Sequence, residues 1–517
     1  MRSMIESFEC IDIVMARDGA EAIEAIRLKQ FDIILCDYNL GVGQDGQQVM
    51  EEAKFRNIYR SSTVFIMVTA ENTAQMVMGA LEYQPDAYLS KPVNRKVLQS
   101  RLESLLRKKE NLKQIYMALD DEQYTTVLQL CDRYLETHTK NRFELLKIKS
   151  TAYLKTGAYD EAESLCRLVL DERDILWAMF DLGKVYFLKK SYQQALEMFE
   201  KVIETNAEFI AAYDWLAKAQ QAMGNNQDAQ ATLEQAIEKS PKSLLRQRAL
   251  AEMAEKNNDL AATERARRKA VTVGRGSVLR EPGDFTSLAK VQAKNEGGKE
   301  ALNTINAIKD EFKDQPKARF EAMVSLSTIY EVLGDDVSSK KSLDRALAIA
   351  KKDPSLVSGN VGLEIAKNCM QNGKKEEANH FFENIIKNNH EDDEMLARVA
   401  EVFQQAGNES EGLALINDTK QKIIEINNNG VNLLREGKIE ESIELFTRAA
   451  DGMPRNPVIN LNAAQSMIIQ MKKSGPRLQD IQRVLQYIHV AKEGGGNSHE
   501  VWIGKLMAET RLLRESL

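Results

Sequence analysis

Along the first hundred residues two kinds of apolar pattern alternate. Short runs, "IDIVMA" (11–16), "FDIILCD" (31–37), "STVFIMVTA" (62–70) and "DAYLSKP" (86–92), read as strands. The third is apolar nearly throughout, as in a parallel sheet covered on both faces. Between them, "GAEAIEAIRLKQ" (19–30) sets Ala20, Ile23, Ala25 and Ile26 at helical spacing, and "DGQQVMEEAKFR" (45–56) and "NTAQMVMGALEY" (72–83) predict two further helices. Strand-helix alternation predicts a doubly wound α/β domain. Function in such sheets sits outside the carboxyl ends of the strands. Asp37, Thr69 and Lys91 fall at those ends.

Beyond about residue 100 the strand signals stop. "NRKVLQSRLESLLRKKENLKQIYMAL" (94–119) is one amphipathic stretch without Pro or Gly, which predicts an unbroken helix leading out of the first domain. Such a helix would transmit tilt and rotation, where a flexible linker would not. A repeat follows. Ala162, Ala195 and Ala229 recur at intervals of 33 and 34 residues, and Gly334, Gly373, Gly407 and Gly437 recur later at 39, 34 and 30. Small residues (Gly183, Ala195, Ala217, Ala229) let two antiparallel helices approach, and larger ones (Tyr186, Phe199, Leu216, Leu233) fill the space between successive pairs. No pair can bury its apolar face alone, so a stacked solenoid is expected. About nine or ten units fit between Phe143 and about Met471. Residues 272–300 are irregular and predict a loop, a bend or a worn repeat, and helices near 478–492 and 499–516 are expected to cap the array.

Composition narrows the function classes. A chain of 517 residues is too long for one compact core. Its net charge is −7, from 70 basic and 77 acidic residues, with no strongly basic half, so nucleic acid is a poor partner. Five dispersed cysteines without a C-x-x-C pair fit reduced, buried thiols in a cytoplasmic protein. No apolar run approaches the ~20 residues of a membrane span. The basic run "ERARRKA" (264–270) reads as a solvated helix face, and Trp177 and Trp215 as packing between helices. The five histidines lack metal-ligand spacing.

The trio at the strand ends suggests phosphoryl chemistry. An aspartate can accept a phosphoryl group as a nucleophile. The charge then needs a lysine, a hydroxyl and a divalent metal. The same spacing admits a turn aspartate, a core threonine and a surface lysine. Lys91-Pro92 is a candidate cis bond that would hold the lysine. Strand-Asp, strand-Thr-Ala and D-A-Y-x-x-K-P together resemble the receiver domain of bacterial response regulators, over residues 1 to about 105. That resemblance implies that Asp37 is the phospho-acceptor, Thr69 and Tyr88 are the switch pair, and Lys91 binds the phosphoryl group. It also implies that magnesium is held by Asp37 and the backbone carbonyl of Asn39. The repeat, with Leu182-Gly183, Tyr186, Tyr192, Ala195 and Phe199 in one unit, resembles the tetratricopeptide repeat (TPR).

Two features depart from the receiver pattern. The opening strand that ends in a pair of metal-binding acids is absent, and Glu6, Glu9 and Asp12 lie in the wrong place to substitute. The loop "YNLGVGQDG" lacks the usual proline and runs long. A mis-assigned start codon is the expected reason, a degenerate receiver the alternative. The expected architecture is a flavodoxin-like α/β receiver lacking its first strand over 1–105 and a connecting helix and first hairpin over 94–140. An all-α TPR array over 141–475 and capping helices over 476–517 complete it. The resemblance implies a cytoplasmic, non-enzymatic response regulator that receives its phosphoryl group from a histidine kinase or phosphotransfer protein. Its repeats would bind a protein or peptide ligand, and the receiver leaves room for a homodimer. The alternative is a phosphorylation-incompetent pseudo-receiver and TPR scaffold or adaptor.

Overall fold

A computed structural model describes residues 2–8, 12–41, 43–70, 82–137, 141–295, 297–357, 359–494 and 499–517. Most of the helix predicted over 72–83 lies outside these residues, as do Glu9, Cys10 and His138. The chain forms two compact units, residues 1–291 and 292–517.

The first unit begins with three parallel strands, β1 (Ile33–Asp37), β2 (Val64–Thr69) and β3 (Ala87–Ser90), in the order β1-β2-β3. Ile33 pairs with Val64 and Asp37 with Val68, while Thr69 pairs with Ser90. β2 is buried along its whole length, which explains its unbroken apolar sequence. Phe65 and Met67 join Ile23 and Ile26 of α2 (Gly19–Leu28) and Val49, Met50 and Ala53 of α3 (Gly46–Phe55) on one face. Val64, Ile66 and Val68 face the other way, against Leu98 and Leu102 of α4 (Arg95–Asn111). Alternation along β2 thus splits one strand between two cores. The short helix α1 (Arg2–Glu6) adds Met4 and Ile5 to the second of these.

Two predicted elements differ. Asp12–Ala16 form no strand, and Val14 and Met15 are exposed. In the flavodoxin-like order 2-1-3-4-5 the second strand pairs only with the first. Among the described residues nothing occupies that middle position, so the stretch has no ladder to join. The helix predicted over 94–119 is two helices, α4 and α5 (Lys113–Asp120), separated at Leu112. Leu112 leaves helical geometry and is fully buried with Ile115, Val127, Cys131 and Leu145. The break needs no glycine, because burying Leu112 and Ile115 in the first helical hairpin turns the chain.

From Tyr124 onward the chain is antiparallel helix pairs. In the pair Leu176–Leu188 and Tyr192–Thr205, Gly183 faces the ring of Phe199, which has no exposed surface. Trp215 packs on Phe187 and Phe199 at ring-centroid distances of 5.4 and 6.1 Å, so it fills space between helices. The irregular stretch 272–300 resolves into a turn ending at Glu281, the helix Pro282–Lys294 and the start of the helix Gly298–Glu311. In the second unit a 27-residue helix, Glu409–Arg435, serves two pairs. Its Gly412 lies against Phe403 and its Gly430 against Phe446. The last helices are Leu478–Gly494 and Glu500–Glu515.

Buried His390 accepts at Nδ1 from the Asn456 amide (3.0 Å), and that amide also reaches the Lys387 carbonyl. Burial lowers the His390 pKa below its ordinary value.

A Cβ at Gly183 would come 2.6 Å from Phe199 Cε1. Gly183→Ala should destabilise the first unit by about 1–3 kcal/mol, read from its denaturant midpoint, and an unchanged midpoint would refute the close packing. Because folded His390 resists protonation, the stability it contributes is present above the unfolded pKa of about 6.5 and is lost as pH falls through its lower folded pKa. Thermal melts at pH 7.5 and 5.5 should show a smaller acid-induced loss for His390→Gln than for wild type; equal losses would contradict it.

Candidate functional site

Parallel register brings the site together. Asp37 ends β1, Thr69 ends β2, and Lys91 follows β3, whose neighbour Ser90 pairs with Thr69. The Lys91 amide donates to the Thr69 carbonyl (2.6 Å), and Lys91-Pro92 is cis, as the sequence predicted. Lys91 Nζ is ion-paired with Asp37 Oδ2, and both side chains are about one-third exposed. Thr69 is buried. Tyr88 is half-buried and packs on the core that holds Tyr38, Phe65 and Met67.

The loop after β1 is built to hold Asp37. The Asn39 amide donates to Asp37 Oδ1 (3.3 Å), and Asn39 Oδ1 in turn accepts from the Gly41 amide. Tyr38 is buried, and its amide donates to Val68 O (2.8 Å). Its carbonyl accepts from Gly46 (2.8 Å), the first residue of α3. A Cβ at Gly46 would overlap the Asp37 carbonyl, so only glycine allows this approach. Asp45 and Gln48 form a capping box at the same helix end. The neighbouring Cys36 thiol is pushed up to about 12 by burial, with Asp37 and Asp45 adding to the effect, so it stays protonated near neutrality.

The arrangement offers a carboxylate nucleophile, a cation and a buried hydroxyl on one edge. It does not offer a complete magnesium site. Among the described residues, the donors that the resemblance assigns to the metal are the Asp37 carboxylate, already paired with Lys91, and the Asn39 carbonyl. Asp12 is ion-paired with Lys29 instead. Among the described residues no group of three metal-ligating side chains converges. Magnesium demands a near-ideal octahedral shell, and these two donors do not fix one.

The surroundings of Asp37 include residues beyond those the sequence singled out. Tyr38 and Gly46 could have been found from their places beside Asp37 and after its loop. Lys242 and Arg246 could not, because they come from the repeats. Lys242 pairs with Asp45 (3.0 Å) and lies 4.9 Å from the centre of the Tyr38 ring. Arg246 is buried between Asp214 and Glu82, at 2.7 Å from each. Burial opposes its charge, but the hydrogen bonds and charges of Asp214 and Glu82 outweigh burial and hold its pKa above the ordinary value.

Comparison with known proteins bears on the two domain types. Residues 1–103 match the family model of the response regulator receiver domain, and residues 186–253 match a tetratricopeptide repeat model. Among solved structures, the chain is similar to nearly identical TPR-like repeats of a kinesin light chain from Podosopora anserina. That match has 22% identity, 34% of this chain, 96% of the other and a TM-score of 0.30. It is also similar to the C-terminal part of a TPR repeat-containing protein from Cytophaga hutchinsonii (12% identity, 48% and 98% covered, TM-score 0.37). A tetratricopeptide repeat protein from Parabacteroides merdae matches at 13% identity, with 48% and 95% covered and a TM-score of 0.32. No curated protein matches the chain. The chain therefore carries a response regulator receiver domain at residues 1–103, followed by a helical array that matches the tetratricopeptide repeat over residues 186–253.

Proposed function

We propose that the chain is a two-component response regulator that accepts a phosphoryl group on Asp37 and signals through protein binding by its repeats, not through DNA. The single observation that carries this is the Asp37–Lys91 pair beside buried Thr69, on the carboxyl edge of a parallel sheet. The donor is the phosphohistidine of a kinase or phosphotransfer protein. One Asp37 oxygen attacks phosphorus, the P–N bond breaks, and the partner's imidazole, protonated on its other nitrogen, takes the bonding pair and leaves as the neutral base. The product is an acyl phosphate. Lys91 then turns from the carboxylate to the phosphoryl oxygens, and the Thr69 hydroxyl donates to one of them. Tyr88 follows Thr69 inward and changes the packing around Met67. The protein works in the cytoplasm and has no enzymatic activity of its own. Among the described residues no helix is long and apolar enough to cross a membrane.

A second reading rests on one observation: among the described residues no group of three metal-ligating side chains converges at Asp37. It favours a pseudo-receiver that serves as a docking surface for a TPR scaffold.

Labelling separates the two readings. With acetyl phosphate and magnesium, the chain should take up label slowly at Asp37, and Asp37→Asn should take up none. Equal labelling of both would sink the assignment, and no label in either would favour the scaffold. Lys91→Met should slow labelling by on the order of 10²-fold, as when one preorganised charge-stabilising group is removed. An unchanged rate would show that Lys91 merely neutralises Asp37 at rest.

A further inference from the structure

Among the described residues, the receiver meets the repeats of its own compact unit at two places, and they differ in how close they come to Asp37. One is the connector, α4 and α5. Lys109 Nζ reaches the Ser61 carbonyl (2.7 Å) and Asp86 (2.8 Å), and the Ser61 amide donates to Asp120 (2.9 Å). Ser61 precedes β2 and Asp86 precedes β3, so these contacts lie at the amino ends of the strands, opposite the site. The other is the segment 242–277, which lies at the carboxyl ends.

That second contact is dense and polar. Lys242 bridges Tyr38 and Asp45, the two ends of the acceptor loop. One helical turn later Arg246, almost without exposed surface, joins Glu82 of the receiver to Asp214 of the repeats. The polar face of α3 completes it. Gln44 donates to Gly276 O (2.9 Å), Gln48 donates to Arg275 O (2.9 Å), and Ser277 Oγ donates to Glu51 (2.5 Å). Gln44 lies within the loop that begins after Asp37, and Gln48 and Glu51 follow it on α3.

We propose that this segment of the repeats, and not the connector, reads the state of Asp37. Lys242 and Arg246 latch the receiver to the array while Asp37 is unmodified and paired with Lys91. A phosphoryl group brings a charge of about −1.5 to −2 to the residue next to Tyr38, against the single charge of Asp45. It competes with Asp45 for Lys242. As Lys242 leaves Tyr38 and Asp45, the capped end of α3 loosens, and with it the contacts of Gln44, Gln48 and Glu51 to residues 275–277. The repeat surface around the helix Leu244–Lys256 is then released. By linkage, breaking the latch must also shift the equilibrium extent to which Asp37 is modified.

The release step rests on the reading of Asp37 as phospho-acceptor; the latch does not. Hydrogen exchange on the full chain tests both. In unmodified protein, Lys242→Met and the milder Ser277→Ala should each raise exchange several-fold in residues 44–52 and 273–277, with 113–137 unchanged. Native-like protection there in both variants would overturn the latch. Acetyl phosphate with magnesium should raise exchange in the same two segments of wild type and not of Asp37→Asn. A labelled chain whose exchange changes in 113–137 alone would overturn the proposal in favour of the connector. A chain that takes no phosphoryl group refutes the Asp37 reading and the release step together, and the two variants still decide whether the latch exists.

Discussion

Parallel pairing of three short strands is the constraint on which the rest depends. Strands in a ladder lie about 4.8 Å apart. The register that sets Asp37 against Val68 and Thr69 against Ser90 therefore sets the spacing of the acidic, hydroxyl and basic groups through the backbone, and the Asp37–Lys91 ion pair forms on that frame. β2 holds that register because it is buried on both faces, so a slip by one residue would send Phe65 and Met67 into the wrong core. The site is a by-product of packing, and its side chains need only be right in kind.

A second constraint concerns charge. Arg246 is a fully buried cation shared by two carboxylates from different parts of the first unit. Such a group contributes little net stability when satisfied, because desolvation offsets attraction, yet removing one partner costs about 3–5 kcal/mol. This makes it a specificity element more than a glue. It favours one seating of the receiver on the repeats and penalises others. The surrounding bonds to backbone carbonyls of residues 275 and 276 are neutral and individually weak.

Much of this was legible in the sequence, for identifiable reasons. Three of the four predicted strands exist because an apolar run with a polar residue at its end is a local signal. The repeats were legible because Ala162, Ala195 and Ala229 each have no exposed surface, and a position with no room for a larger side chain shows its period. What was missed depends on partners distant in the chain. "IDIVMA" has the composition of a strand, but a strand needs a neighbour, and none stands beside it among the described residues. The connector breaks at Leu112, a good helix former, because burial in the first hairpin overrides propensity. Lys242 and Arg246 look like ordinary surface charges in "SPKSLLRQRAL". Only the fold brings them to Asp45 and Glu82, and the irregular stretch after residue 272 is the loop that α3 grips.

The central claim is that Asp37 carries the phosphoryl group. An acyl phosphate, unlike a phosphate ester of serine or threonine, is reduced by borohydride to the alcohol. Treating the phosphoryl-donor-exposed chain with borohydride and mapping its peptides by mass therefore reads the site directly. The account predicts homoserine in place of aspartate at position 37 and at no other aspartate. Homoserine elsewhere, or a borohydride-resistant phosphate on a hydroxyl side chain with position 37 intact, would contradict it.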